Sequence, residues 1–239
     1  LFSNMTATDA VNSIAINSKN ELQEPYDPLP TSAPDGFWTS SGLHPNTFSG
    51  SSRKRIHITA WWWYNAIHQT SLRHKLTFFL HTSFTVSKDG GTGTSTHFYD
   101  HLRLLDFYAY GNIKTLAKKI TFDNSMLIYL NNTTNNANNP NENYAREFLE
   151  LFTILKGPQI AAGNYTTYTE QDVQQAARVF TGFTGNRGAN PSVRLATYNP
   201  VTLIPEGYIN VSAHDPANKT FSAAFNNTVI QGGTTAASI

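Results

Sequence analysis

Three groups of side chains in this sequence are of the types that do chemistry. His81 lies in the otherwise apolar stretch 76–86. A neutral imidazole there could ligate a metal or act as a general base near neutral pH. A core histidine donating to a carbonyl or carboxylate explains the same residue, because buried polar groups are nearly always hydrogen-bonded. Glu142, Arg146, Glu147 and Glu150 crowd one side of a predicted helix over 141–155. Glu147 and Glu150 are three apart, so both carboxylates could face one ion or one proton-transfer site. Arg146 is four residues from both Glu142 and Glu150, so a solvated ion ladder accounts for the same spacing. His214-Asp215 forms the third group. A carboxylate that accepts one ring N–H orients a histidine for work at the other nitrogen. His-Asp-Pro is also strong turn chemistry.

Other patterns are weaker. His97 and His101 are four apart in one predicted helix, a spacing that can bind a transition metal. No Glu follows the first His in the zinc-protease pattern, and both read better as partly buried beside aromatics. Trp61, Trp62 and Trp63 are consecutive, so on a helix they point in different directions; one is expected in the core and another at an interface. Gly90-Gly91-Thr92-Gly93 lacks the Lys of a phosphate loop. There is no Gly-x-Ser-x-Gly elbow and no Glu-x-x-His, which disfavours a serine hydrolase and a di-iron bundle. Cysteine is absent, which removes thiol catalysis and disulfides.

The elements that must position these groups are mostly helical. Thr8 or Asp9 could cap a short helix over 10–16. Residues 21–52 carry Pro25, Pro28, Pro30, Pro34 and Pro45 and read as a wrapping loop. From 53 to 153 the pattern is helical. Ser71 caps a strongly apolar, buried helix over 72–84. Ser95 or Thr96 caps 97–110, Asn112 caps 113–120, and Asp123 or Asn124 opens 125–130. The Asn-rich tract 131–141 is a loop whose composition would also allow disorder. Asn141 caps the 141–155 helix, with Tyr144, Phe148, Leu151, Phe152 and Leu155 on one face. Thr169 with Asp172 forms a capping box for a helix that Gly182 ends. After Gly185, segments 194–198 and 208–212 alternate and predict a small β-hairpin or two short strands. The fold class is thus mainly α: an irregular helical domain with a small β-hairpin element near residues 194–222. Its parts are an N-terminal short helix and wrapping segment (1–52), a helical core (53–185), and a small β element with a tail (186–239).

Four segments in this order resemble the family catalogued as domain of unknown function 1800 (DUF1800). They are Leu76-Thr-Phe-Phe-Leu-His-Thr-Ser-Phe-Thr-Val86; Asn141-Glu-Asn-Tyr-Ala-Arg-Glu147 running on to Thr153; Tyr168-Thr-Glu-Gln-Asp-Val173 with Thr181-Gly182-Phe183; and His214-Asp215 with Lys219-Thr220-Phe221. The resemblance covers roughly residues 55–222. It implies a mostly helical, usually exported domain, and carries no settled activity. Members are usually longer, so the chain is expected to be a piece of something larger. Two departures stand out. Ser83 occupies the position of a second His after His81, and Ala217 that of a Gly in the family's His-Asp-x-Gly-x-Lys. The resemblance favours a polar network of Glu142, Arg146, Glu147, Glu150 and Asp215, in which Arg146 holds the carboxylates. Joined together, these polar groups give a sharper expectation, in which His81, Glu147, Glu150 and His214 converge on one ion, for which a divalent metal is the candidate, or on one polar pocket.

Composition bounds the partners. The 239 residues carry 17 Lys+Arg against 16 Asp+Glu, a net charge of +1 that disfavours an electrostatic nucleic-acid binder. No stretch is long and apolar enough to span a bilayer. Charge is only 14% and Asn, Thr and Ser abound, as in exported proteins of the periplasm, cell surface or extracellular space. Asn4, Asn131, Asn132, Asn164, Asn210, Asn218 and Asn226 stand in Asn-x-Ser/Thr triplets, glycan acceptors if the protein is eukaryotic and secreted. The expected function is a non-catalytic exported protein of a surface, matrix or filament assembly. Its expected partners are other protein chains or the remainder of its own. The alternative is a metal- or cofactor-dependent enzyme using the His/Glu site.

Overall fold

The structure, a computed structural model, describes residues 4–16, 26–27, 36–37, 51–69, 71–89, 95–185, 199–202 and 204–233. Its elements in chain order are helix α1 (Ala7–Ile16), strands β1 (Tyr26–Asp27) and β2 (Gly36–Phe37), and helices α2 (Ser51–His68), α3 (Arg73–Ser83), α4 (Ser95–Phe107), α5 (Ile113–Ile120), α6 (Asn124–Tyr129) and α7 (Glu142–Glu147). A π-helical turn follows over Phe148–Thr153, then β3 (Gln159–Ala161), β4 (Asn164–Tyr165), α8 (Glu170–Val179), β5 (Phe183–Thr184), β6 (Tyr208–Ile209), β7 (Lys219–Thr220) and β8 (Val229–Ile230). The architecture is mainly α with small antiparallel two-stranded sheets, as expected. No described helix is long and apolar enough to cross a membrane.

The chain divides into two compact units, Leu1–Leu116 with Arg187–Pro205, and Ala117–Asn186 with Glu206–Ile239. Residues 187–205 group with the first unit, and residue 186 and residues 206–239 with the second.

In the first unit α2, α3 and α4 pack on one another around Ile58, Trp62, Leu80, Phe84, Phe98, Leu102 and Leu105. Consecutive Trp residues diverge as helical geometry requires: Trp62 is buried while Trp63 is 46% exposed. Two expectations change here. Thr6, not Thr8 or Asp9, caps α1, exchanging hydrogen bonds with Asp9 at 2.6 and 3.1 Å, so the helix starts three residues earlier than expected. The apolar helix α3 is not buried on its greasy side. It buries His74, Thr77 and Leu80 and exposes Phe78 and Phe79. The inward position of Thr77 is stabilised by bonds to Arg73 O (3.0 Å) and Asp106 Oδ1 (3.2 Å), which satisfy its hydroxyl.

In the second unit the expected caps are all present. Asp123 accepts from Met126 N (2.9 Å), Asn141 from Asn143 N (3.0 Å), and Thr169 with Asp172 closes a full capping box on α8. The core is aromatic. Phe180 sits at 5.1, 5.3 and 5.7 Å from the rings of Tyr144, Phe148 and Phe183. The β pairing differs from expectation. Residues 194–198 lie outside the described residues, and Tyr208–Ile209 pairs with Phe183–Thr184. Lys219–Thr220 pairs with Val229–Ile230, and a hairpin over 159–165 was not anticipated.

The Asn-rich tract is ordered where composition alone allowed disorder. Asn132 and Asn135 are buried, and their amides bond the carbonyls of Ala177, Phe180 and Phe183 at 2.9–3.1 Å. Gly182, at φ +77°, threads this crossing; its N–H donates to Asn135 O and its carbonyl accepts from Asn210 N. A Cβ there would lie 2.5 Å from Asn210 O. Gly182→Ala should therefore cost about 2 kcal/mol or more in urea unfolding, because strain and a backbone clash combine. Gly185→Ala, whose Cβ would meet its nearest neighbour at 3.2 Å, should cost clearly less.

Candidate functional site

The signature helix places its charges as a network with neighbouring segments. Arg146 donates to Glu142 of its own helix (2.9 Å) and to both oxygens of Glu170 on α8 (2.5 and 3.1 Å). This fork-like pairing holds the Glu170 carboxyl below its usual range and the Arg146 guanidinium above its own. Beneath it, Tyr144 is fully buried and donates to Ile120 O (3.1 Å). Glu170 is the member that sequence spacing could not supply, since the pair spans 24 positions.

The second half of the expected α-helix is the π turn. Its i→i+5 bonding rotates residues beyond Phe148 off the amphipathic stripe. Leu149 becomes the core residue, while Leu151 and Leu155 face solvent. Leu155 has φ +62°, a conformation unusual for a bulky side chain. Glu150 is held by Lys156 (2.7 Å) and accepts from Tyr168 OH (3.1 Å). The Lys156 contact lowers the Glu150 pKa, while burial and then Glu150 push the Tyr168 phenol up to about 12. Burial, then Glu150, raises the Glu147 carboxyl.

The His214-Asp215 segment closes on itself as a buried cluster. His214 Nδ1 lies 2.7 Å from Thr181 O, so that nitrogen carries the proton. Its Nε2 then accepts from Lys219 Nζ at 3.3 Å. Lys219 also donates to Asp215 O, and Asp215 pairs with Arg178 (2.6 Å). Burial lowers the pKa of both His214 and Lys219. Both ring nitrogens of His214 are thereby engaged inside the protein, and Asp215 joins Arg178 instead of orienting the imidazole.

In the first unit His81 packs edge-on against Trp62 and beside His101, each with centroids 5.6 Å away. Its Nδ1 is buried without a hydrogen-bond partner. Burial, then the neighbouring His101, pushes the His81 pKa down to about 4, so the ring is neutral near pH 7. A second imidazole, that of His101 on α4, lies beside it where Ser83 supplies none. His97 and His101 are buried, beyond the partial burial expected. Of the sequence-derived metal set, His81 belongs to the first unit and Glu147, Glu150 and His214 to the second. Among the described residues no group of three or more His, Asp or Glu is placed to share an ion. Of the candidate glycan acceptors, Asn4, Asn131, Asn210, Asn218 and Asn226 are exposed and Asn164 is half-buried. Asn132 is fully buried with its amide bonded to the carbonyls of Phe180 and Phe183.

Two cavities of the second unit escaped sequence reasoning. One, of about 260 Å³, is walled by Phe148, Val179, Phe180, Phe221, Phe225 and Ile230. The other, of about 280 Å³, is polar and lined by groups including Thr134, Asn136, Thr184, Tyr208 and Asn210. The alternating segment 208–212 was the available signal for the second, but its pairing with Phe183–Thr184 was not legible.

A family model described as protein of unknown function (DUF1800) matches residues 4–238. No curated protein and no solved structure matches the chain.

The lowered histidines set the acid response. The unfolded chain takes up protons near pH 6.5, whereas folded His81 does so only near 4, so its contribution is complete above 6.5 and declines towards 4. His214 and His74 shift in the same direction. Urea unfolding should lose up to about 3 kcal/mol across that window on account of His81. His81→Phe should flatten the profile there.

Proposed function

The chain belongs to the DUF1800 family, and we propose that it is a non-catalytic, exported protein of a surface, matrix or filament assembly that docks other protein chains through an aromatic face of its first unit. The exposed apolar stripe carries this reading. On α2, Ile56, Ala60, Trp63 and Ile67 recur at i, i+4, i+7 and i+11 on the side away from buried Ile58 and Trp62. Trp63 meets Phe78 of α3 at 5.2 Å, and Phe79 beside it is 61% exposed. A contiguous apolar surface of this kind costs solubility unless a partner covers it. Large rigid aromatics are the residues that anchor protein interfaces. Low charge and several exposed Asn-x-Ser/Thr triplets support an extracytoplasmic setting.

The alternative, a metal- or cofactor-dependent enzyme, draws support from one observation: His81, neutral and with an unbonded buried nitrogen, beside the His101 ring. Neutral imidazole is the common ligand of zinc and copper.

Sedimentation velocity of the full chain should show concentration-dependent association that Trp63→Ser combined with Phe79→Ser abolishes without loss of helical content. A wild-type chain that stays monomeric, and cross-links to no neighbour in its native surroundings, sinks the assembly reading. Metal analysis of the purified protein decides the alternative. Stoichiometric metal that disappears in His81→Ala would establish it at the expense of the first.

A further inference from the structure

We infer that the polar cavity of the second unit is a binding site for a neutral saccharide unit, a reading that goes beyond the assembly function and stands without it. The cavity follows from the β5–β6 pairing. Thr184 and Tyr208 are register partners, so their side chains leave the ladder on one face. Phe183, one residue earlier, turns to the other face and is buried in the core. Asn210, two residues beyond Tyr208, returns to the Thr184–Tyr208 side. Across from them stand Thr134 and Asn136 of the Asn-rich tract.

The chemistry of the lining is specific. None of the nine lining residues is charged, so an ionic ligand would find no counter-ion there. Hydroxyl and carboxamide groups supply both donors and acceptors, which is what a sugar hydroxyl needs because it is both at once. The Tyr208 side chain is 49% exposed, leaving a ring face available to the C–H face of a pyranose. Among the described residues no hydrogen bond engages the Thr184 or Tyr208 hydroxyl, so a ligand that meets them displaces only water. A volume of about 280 Å³ suits one or two sugar rings better than a larger ligand.

The cavity is also preorganised. The Asn135 amide donates to Asn132 Oδ1 and Ala177 O, and its own Oδ1 accepts from Asn141 N at 2.9 Å. Asn136 Oδ1 accepts from the N–H groups of Asn138 and Asn139, both at 3.1 Å. Ala137 N bonds Ala213 O, and Asn210 N bonds Gly182 O, so both walls are fixed to one another before any ligand arrives. A rigid wall spares the ordering cost that weakens adaptable sites.

The test is an amide-resolved NMR titration of the full chain, produced without glycosylation so that Asn210 is bare. The probes are methyl mannoside, methyl glucoside, methyl galactoside and N-acetylglucosamine, with glucuronate and acetyl-tetraglycine amide as charged and peptide controls. At least one neutral sugar should give saturable shifts at Thr134, Asn136, Thr184 and Tyr208, with a Kd on the order of 1 mM. Tyr208→Ala and the near-isosteric Thr184→Val should each weaken binding about tenfold or abolish it. Saturation by none of the sugars, binding that survives both variants, or tighter binding of either control overturns the proposal. Because the probes report on the second unit, the result is independent of association through the aromatic face.

Discussion

Two carboxamides, those of Asn132 and Asn135, are buried, and the second unit is arranged so that their hydrogen-bonding groups meet partners. A buried amide without a partner costs roughly 1–3 kcal/mol for each unpaired group, so the bonds act as constraints more than as sources of stability. Asn132 holds the carbonyls of Phe180 and Phe183, where α8 gives way to β5. Asn135 holds Ala177 O within α8 and the N–H of Asn141, the cap of α7. The end of one helix and the start of another are thereby fixed to a single loop. Given that fixture, Arg146 reaches Glu170, the Phe180 ring enters the aromatic core, and the wall of the polar cavity is set. A loop whose composition would also allow disorder is thus held by hydrogen bonds of its buried carboxamides to two helices.

The same rule sorts the charged groups by consequence. The Arg146–Glu142–Glu170 network is about one-third exposed, so water screens it and its net contribution is modest. Asp172 is different. It is fully buried, where burial alone would raise its pKa, yet bonds from Ser222 and Thr169 hold the carboxylate charged. It caps α8 and at the same time accepts the Ser222 N–H and hydroxyl, both at 2.7 Å, which ties the 219–230 hairpin to the helix. The His214–Lys219–Asp215–Arg178 cluster closes the loop before that hairpin in the same manner. What resembles a catalytic His-Asp pair in sequence is here a brace, because the tertiary contacts engage both ring nitrogens and turn the carboxylate towards an arginine.

The two units present surfaces of opposite chemistry. The first has an exposed aromatic stripe of Trp63, Phe78 and Phe79, which suits a protein partner. The second has a small pocket lined by neutral hydroxyl and carboxamide groups on a rigid frame. A matrix protein that holds another chain through one unit and a glycan through the other would need both kinds of surface.

The sequence by itself determined the mainly helical class, the caps of the second unit and the family. The Thr169–Asp172 capping box, Asn112 and Asn141 act within three residues of their own helix, and such local chemistry is the same in any fold. It also determined that one of three adjacent tryptophans would be core and another would not. It could not determine which face of α3 is buried, because His74 and Thr77 became interior residues only once Gln69 and Asp106 supplied partners. Nor could it reveal the π turn, which moved Leu151 and Leu155 into solvent. The joining of β5 to β6, the Arg146–Glu170 fork and the knot around Asn132 link residues about 24 or more positions apart. Those contacts were decided by tertiary structure alone, since no local spacing records which distant carbonyl a buried amide will find.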